Sequence, residues 1–233
     1  MGEMNAGAFG LALASLLYMG CFAQLLRAGG QGERPGVPLL LWSAWALHLA
    51  GLMLLLLAER PPRFGFAQAL CGTLWVSFAV LLVQAHQLDV RSLMRVLMPV
   101  AAAVCLLCLV FPGQLLPASA ARPEFMAHLF LGTAAYGVLL IALLHALLMV
   151  SAQRALQSRD DGQPATGPLR VIGELPPLLT LERLLFGIIG LGFALLTLTL
   201  LMGLLFSGEV FGRALRLDHK TLFTSLAWLV FAV

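Results

Sequence analysis

A chain of 233 residues in which 61% are hydrophobic and only 11% charged has a mean hydropathy of +0.95, whereas a soluble domain carries about 25% charged residues. Its exterior has to be largely apolar, which lipid accepts and water does not. The net charge of +3 is dispersed between hydrophobic runs, so there is no basic patch of the kind nucleic acid needs, and nucleic-acid binding is excluded.

A bilayer core of about 30 Å takes roughly 20 apolar residues in a helix, and only a helix satisfies every backbone group within one such run. Seven runs approach or meet that length: 8–26, 37–58, 65–84, 93–111, 125–150, 184–206 and a last one from about 220. The expectation is an all-α, polytopic transmembrane helical bundle of about seven helices, a single domain over residues 1–233 with the lipid bilayer as its first partner. The N-terminus does not resemble a cleaved signal, because Met1-Gly-Glu-Met lacks a basic lead-in and the first positive charge, Arg27, follows the apolar run.

Along the chain, Ala28 to Gly36, Arg60-Pro-Pro-Arg63 and Pro112 to Pro117 carry turn residues between the runs. The longest connector, 151–177, centres on Asp160-Asp-Gly-Gln-Pro-Ala-Thr-Gly-Pro168 and reads as a flexible cytoplasmic loop, since that composition buries no core. Beyond Pro176-Pro177, Thr180 is expected to cap the next helix with Glu182 in its first turn. The seventh run holds 14 residues and ends on Phe231-Ala-Val233 without a breaker, so it reads as truncated. Loops one, three and five hold eight basic residues and the alternate loops six. Under the positive-inside rule this places the N-terminus outside.

Cys21, Cys71, Cys105 and Cys108 all lie inside apolar runs. Cys105 and Cys108 have CxxC spacing, but mid-helix rather than at the helix N-terminus of a redox motif, and read as packing residues. No CxxCH stretch exists, so the chain does not itself carry covalent c-type haem. The histidines are weighed singly, because an ionisable residue within a span marks function by default. His48 lies mid-span with Trp42 and Trp45 on one broad face, either hydrogen-bonded to a neighbouring helix or ligating a metal or haem between indoles. His128 opens the fifth run near the outer surface, with Gly132, Ala135 and Tyr136 continuing its face, and His219 opens the seventh on the same side. His86 sits at a boundary and reads as solvated, and His145 reads as packing. There is no phosphate-binding glycine loop, no HExxH, no nucleophile elbow and no facing carboxylate pair, so the chain is not expected to be an enzyme.

Three stretches resemble a known family. Ala127-His-Leu-Phe-Leu-Gly-Thr-Ala-Ala-Tyr-Gly137 resembles the helix of the CcsA-type cytochrome c assembly proteins that begins with an external histidine. Leu175-Pro-Pro-Leu-Leu-Thr-Leu-Glu-Arg-Leu-Leu-Phe186 is similar to the cytoplasmic approach to the next helix in the HemX/YpjD-like inner-membrane branch. Leu217-Asp-His-Lys-Thr-Leu-Phe-Thr-Ser-Leu-Ala-Trp228 lines up with the end of that superfamily's external tryptophan-rich motif, although the connector from Ser207 to Leu217 holds no Trp and His219 stands where the motif has Pro. The resemblance implies an inner (plasma) membrane protein that binds haem non-covalently and acts in cytochrome c assembly or haem homeostasis alongside other cytochrome assembly proteins. It points to His128, His48 and His219 as cofactor-binding residues, with no metal other than haem iron. A transporter or metal-homeostasis component without haem, and a regulatory or assembly scaffold, are the alternatives.

Overall fold

The computed structural model describes residues 6–27, 39–57, 62–86, 90–116, 123–160, 178–205 and 219–232. They form helices α1 (Ala6–Arg27), α2 (Leu39–Leu57), α3 (Phe66–Gln84), α4 (Arg91–Val110), α5 (Pro123–Asp160), α6 (Leu178–Leu205) and α7 (His219–Ala232). Six are long and apolar enough to cross a membrane, and α7 is a shorter apolar helix. Large apolar side chains such as Leu16, Leu54, Val83, Val110, Leu143 and Leu204 lie exposed on every one of the six, a surface that suits lipid.

Helix α1 packs against α2 and α4, α3 against α2, α4 and α5, α5 against α6, and α6 against α7. Lipid tails supply no hydrophobic drive between helices, so close contact comes from small residues and interhelical hydrogen bonds. At the α1–α2 crossing a Cβ on Gly51 would lie 2.7 Å from the Leu11 amide nitrogen, and one on Gly7 would lie 2.5 Å from that of Leu55. Ser15 Oγ donates to the Ala102 carbonyl at 3.0 Å, joining α1 to α4, and Ser77 Oγ donates to the Gly137 carbonyl at 2.9 Å, joining α3 to α5.

Two short strands, β1 (Arg63–Phe64) and β2 (Gln114–Leu115), pair antiparallel, with Arg63 opposite Leu115 and Phe64 opposite Gln114. This clasp ties the connector before α3 to the one after α4, so both connectors lie at the same end of the bundle. Gly113 takes φ +82°, and a Cβ there would meet the Phe64 backbone at 2.7 Å. Gln68 Nε2 caps the end of α4 by donating to the Phe111 carbonyl at 2.9 Å.

The structure revises several expectations. The connector expected as a loop over 151–177 is helical as far as Asp160, because Ala152 to Gln157 are strong helix formers with no breaker among them. Residues 161–177 lie outside the described residues. Thr180 does not cap α6, which has already begun at Leu178. Helix α5 starts on Pro123 with Glu124 in its first turn, a start that suits both the missing proline N–H and the helix dipole. The β1–β2 clasp falls where only turns were expected.

Candidate functional site

His48 is fully buried at the middle of α2, with 0% of its surface exposed. Both ring nitrogens have partners on neighbouring helices: Nδ1 lies 3.2 Å from the Tyr18 hydroxyl of α1, and Nε2 lies 2.9 Å from Cys71 Sγ of α3. Cys105 of α4 approaches the same pair. The ligand atoms of His48, Cys71 and Cys105 all fall within 4.8 Å of one another. Tyr18, equally buried, stacks on Phe78 at 4.9 Å and meets the His48 ring edge-on at 5.8 Å. Helices α1 to α4 therefore converge on one compact set of polar and sulfur atoms.

The indoles expected to wall His48 lie elsewhere. Trp42 is exposed and meets Trp45 edge-on, and Trp45 turns instead to Trp75 of α3. One helix face thus divides between an indole seam along the α2–α3 contact and an imidazole aimed into the core.

His128 occupies a different position. It lies half-buried near the start of α5, and a Cβ on Gly203 of α6 would sit 3.3 Å from its Cε1. Gly203 thus leaves the space that the imidazole edge uses. Gly132 brings α5 close to Thr199, and Ala135 is buried, while Tyr136 is 59% exposed, so the expected stripe does not continue inward as one face. His219 opens α7, and its side chain lies outside the described residues. Helix α7 is held to α6 by Trp228, which donates from Nε1 to Thr197 Oγ1 at 2.8 Å and stacks on Phe193. His145 is buried with Nδ1 3.0 Å from the Ile141 carbonyl of its own helix, and His86 is exposed in the turn after α3.

The sequence reading singled out His48 but assigned the cysteines to packing, and so missed that Cys71 and Cys105 meet it. The available signal was that Cys71 and Cys105 are each the sixth residue from the clasp end of their helices, and so share one depth. The two histidine sites also differ in what they can accommodate. His48 is enclosed on all sides with both nitrogens engaged, a packing that suits an ion and does not fit a porphyrin. His128 instead lies half-buried near the start of α5, at the rim of the bundle.

Six apolar helices, with histidines inside and at the rim of the bundle, define a multi-pass α-helical membrane protein. The chain belongs to the cytochrome c assembly protein family, whose sequence profile matches residues 38–233. It is 31% identical over 122 residues to the inner membrane protein YpjD of Escherichia coli K12, and equally to its counterpart in Escherichia coli O157:H7. The match takes in 52% of this chain and 43% of the length of those relatives. No solved structure matches. The apolar helices and these relatives make it a multi-pass inner-membrane protein.

Proposed function

We propose that the protein binds haem non-covalently at its rim and acts in cytochrome c assembly or haem homeostasis, without being an enzyme itself. The observation that supports this most strongly is His128. In a chain of the cytochrome c assembly family, a half-buried imidazole stands at the start of a membrane helix, seated against Gly203. Gly203 of α6 leaves the space that the ring edge occupies, and an imidazole held in one orientation is a competent ligand. Gly132 and Gly203 let α5 and α6 approach closely beside the ring. Haem, when bound, supplies the prosthetic group that c-type cytochromes carry. His219 opens α7 as a second candidate ligand.

The test is haem absorbance of the detergent-purified protein from haem-replete cells. A Soret band is expected in the wild type, and its loss in His128→Ala with the size-exclusion profile unchanged. A wild type without haem, or a His128→Ala variant that keeps the same spectrum, overturns the proposal. Cells lacking the protein are expected to show less haem-stained c-type cytochrome.

A further inference from the structure

We propose that His48, Cys71 and Cys105 form a copper(I) site at the centre of the bundle, independent of any haem at the rim. Three observations carry it. One imidazole nitrogen and two sulfurs, each from a different helix, lie within 4.8 Å of one another, close enough for small adjustments to bring them onto one ion. All three residues are 0% exposed, so none is a solvated surface group that happens to lie near the others. The Tyr18 hydroxyl stands at Nδ1 of His48, on the ring edge away from the sulfurs. A ligating histidine characteristically gives its other N–H to an oxygen acceptor, which fixes its tautomer and direction. With the metal on Nε2, Nδ1–H donates to Tyr18 Oη.

The donor set selects the ion. It holds no carboxylate or carbonyl, which disfavours magnesium, calcium and manganese, whereas thiolate sulfur favours soft ions such as copper(I) and zinc. A structural zinc site takes four protein ligands, and a catalytic one takes three plus water. Here three donors cluster in a space closed to water, and Tyr18 serves the far nitrogen instead of offering a fourth bond. Cys108 lies outside the mutually close set. A trigonal arrangement of two sulfurs and one nitrogen suits copper(I). Binding displaces thiol protons, because the thiolate is the ligand. Copper(I) balanced by one thiolate and one retained thiol, or by two thiolates, leaves a centre of zero or one negative charge, small enough for a dry interior.

The experiment uses the whole chain in detergent, reduced and kept free of oxygen, titrated with copper(I) against a coloured copper(I) chelator. One tightly held copper per chain is expected, with X-ray absorption showing two sulfurs and one nitrogen. Cys71→Ser, Cys105→Ser and His48→Gln should abolish the tight site, Tyr18→Phe should weaken it by about 10- to 100-fold without changing its stoichiometry, and Cys21→Ser should leave it intact. X-ray absorption on the wild type keeps the test decisive if a variant fails to fold. The proposal is overturned if the chelator removes all the copper, if the bound ion has only oxygen and nitrogen neighbours, if zinc binds more tightly with a third sulfur from Cys108, or if Cys21→Ser loses the site equally.

Discussion

Trp45 and Trp75 stack at 4.7 Å with their planes 12° apart, and each indole N–H donates to the backbone carbonyl of the other residue, both at 3.1 Å. This reciprocal pair lies one step along the α2–α3 seam from the His48–Cys71 contact, so it sets the register that places the imidazole against the thiol. Replacing either residue by Phe keeps an aromatic ring but removes one N–H donor. Each hydrogen bond contributes about 0.5–1.5 kcal/mol and the stacking a similar amount. Trp45→Phe and Trp75→Phe are each expected to lower the melting temperature in detergent by about 2–4 °C. The double variant should lose less than the sum of the single losses, because the pair acts as one unit. Additive losses would show that the two indoles are energetically independent.

Glycine substitutions should separate two kinds of helix surface. A Cβ on Gly51 would lie 2.7 Å from the Leu11 nitrogen and 3.0 Å from the Gly10 carbonyl carbon, all backbone atoms that cannot rotate away. Gly51→Ala must push α1 from α2, at a cost of about 1–3 kcal/mol, and should loosen the Tyr18–His48 contact with it. At Gly190 nothing lies within 4 Å of the added carbon, so Gly190→Ala is expected to be neutral or to stabilise α6 by up to about 1 kcal/mol. Thermal aggregation of the two variants in the same detergent checks this, and equal behaviour would contradict the close α1–α2 crossing.

The β1–β2 clasp places residues 62–65 and 111–116 at one end of the bundle, and α5 and α6 return the chain through the bilayer between that end and the other. With the basic residues biased eight to six, that end is expected to face outward and residues 161–177 the cytoplasm. A reporter active only outside the cytoplasm should work when fused at Gln114 and fail at Gln163. The reverse pattern would invert the whole topology.

The spans were legible in the sequence because bilayer thickness fixes their length and lipid fixes their composition, with no need for tertiary information. The continuation of α5 through Ser151–Asp160 was not, because polarity there signals departure from lipid and says little about where a helix ends. Trp42, Trp45 and His48 did share a broad face, but periodicity cannot say which part of that face each neighbouring helix covers. The His48–Cys71–Cys105 cluster was hidden for the same reason. It depends on the vertical register of three helices, set by contacts such as Trp45–Trp75 and Ser15–Ala102 that no single segment encodes. His128 stood out because it interrupts an apolar start, and its seat against Gly203 lies on a different helix altogether.

The last expectation concerns whether His48 and His128 serve one iron. His48 meets α3 at Cys71, and α5 meets the same helix one residue further on, where a Cβ on Gly72 would lie 2.8 Å from Thr133 Cγ2. Thr133 lies about 7.5 Å further along α5 than His128 at the helical rise per residue, so His128 stands roughly that much nearer the rim than the His48–Cys71 pair. Two imidazoles on one metal hold their nitrogens about 4 Å apart, given metal–nitrogen bonds of about 2 Å. Both nitrogens of His48 are moreover already engaged by Tyr18 and Cys71. His128→Ala is therefore expected to remove or alter the haem spectrum, and His48→Gln to leave it unchanged. His48→Gln should instead lower stability by about 1–3 kcal/mol, because the Tyr18 hydroxyl and the Cys71 thiol lose a buried partner. Absorbance and melting curves on the same preparations separate the two effects. If each substitution converts one bis-histidine spectrum into the same five-coordinate spectrum, the two residues share an iron and the separation inferred from the α3 contacts is wrong.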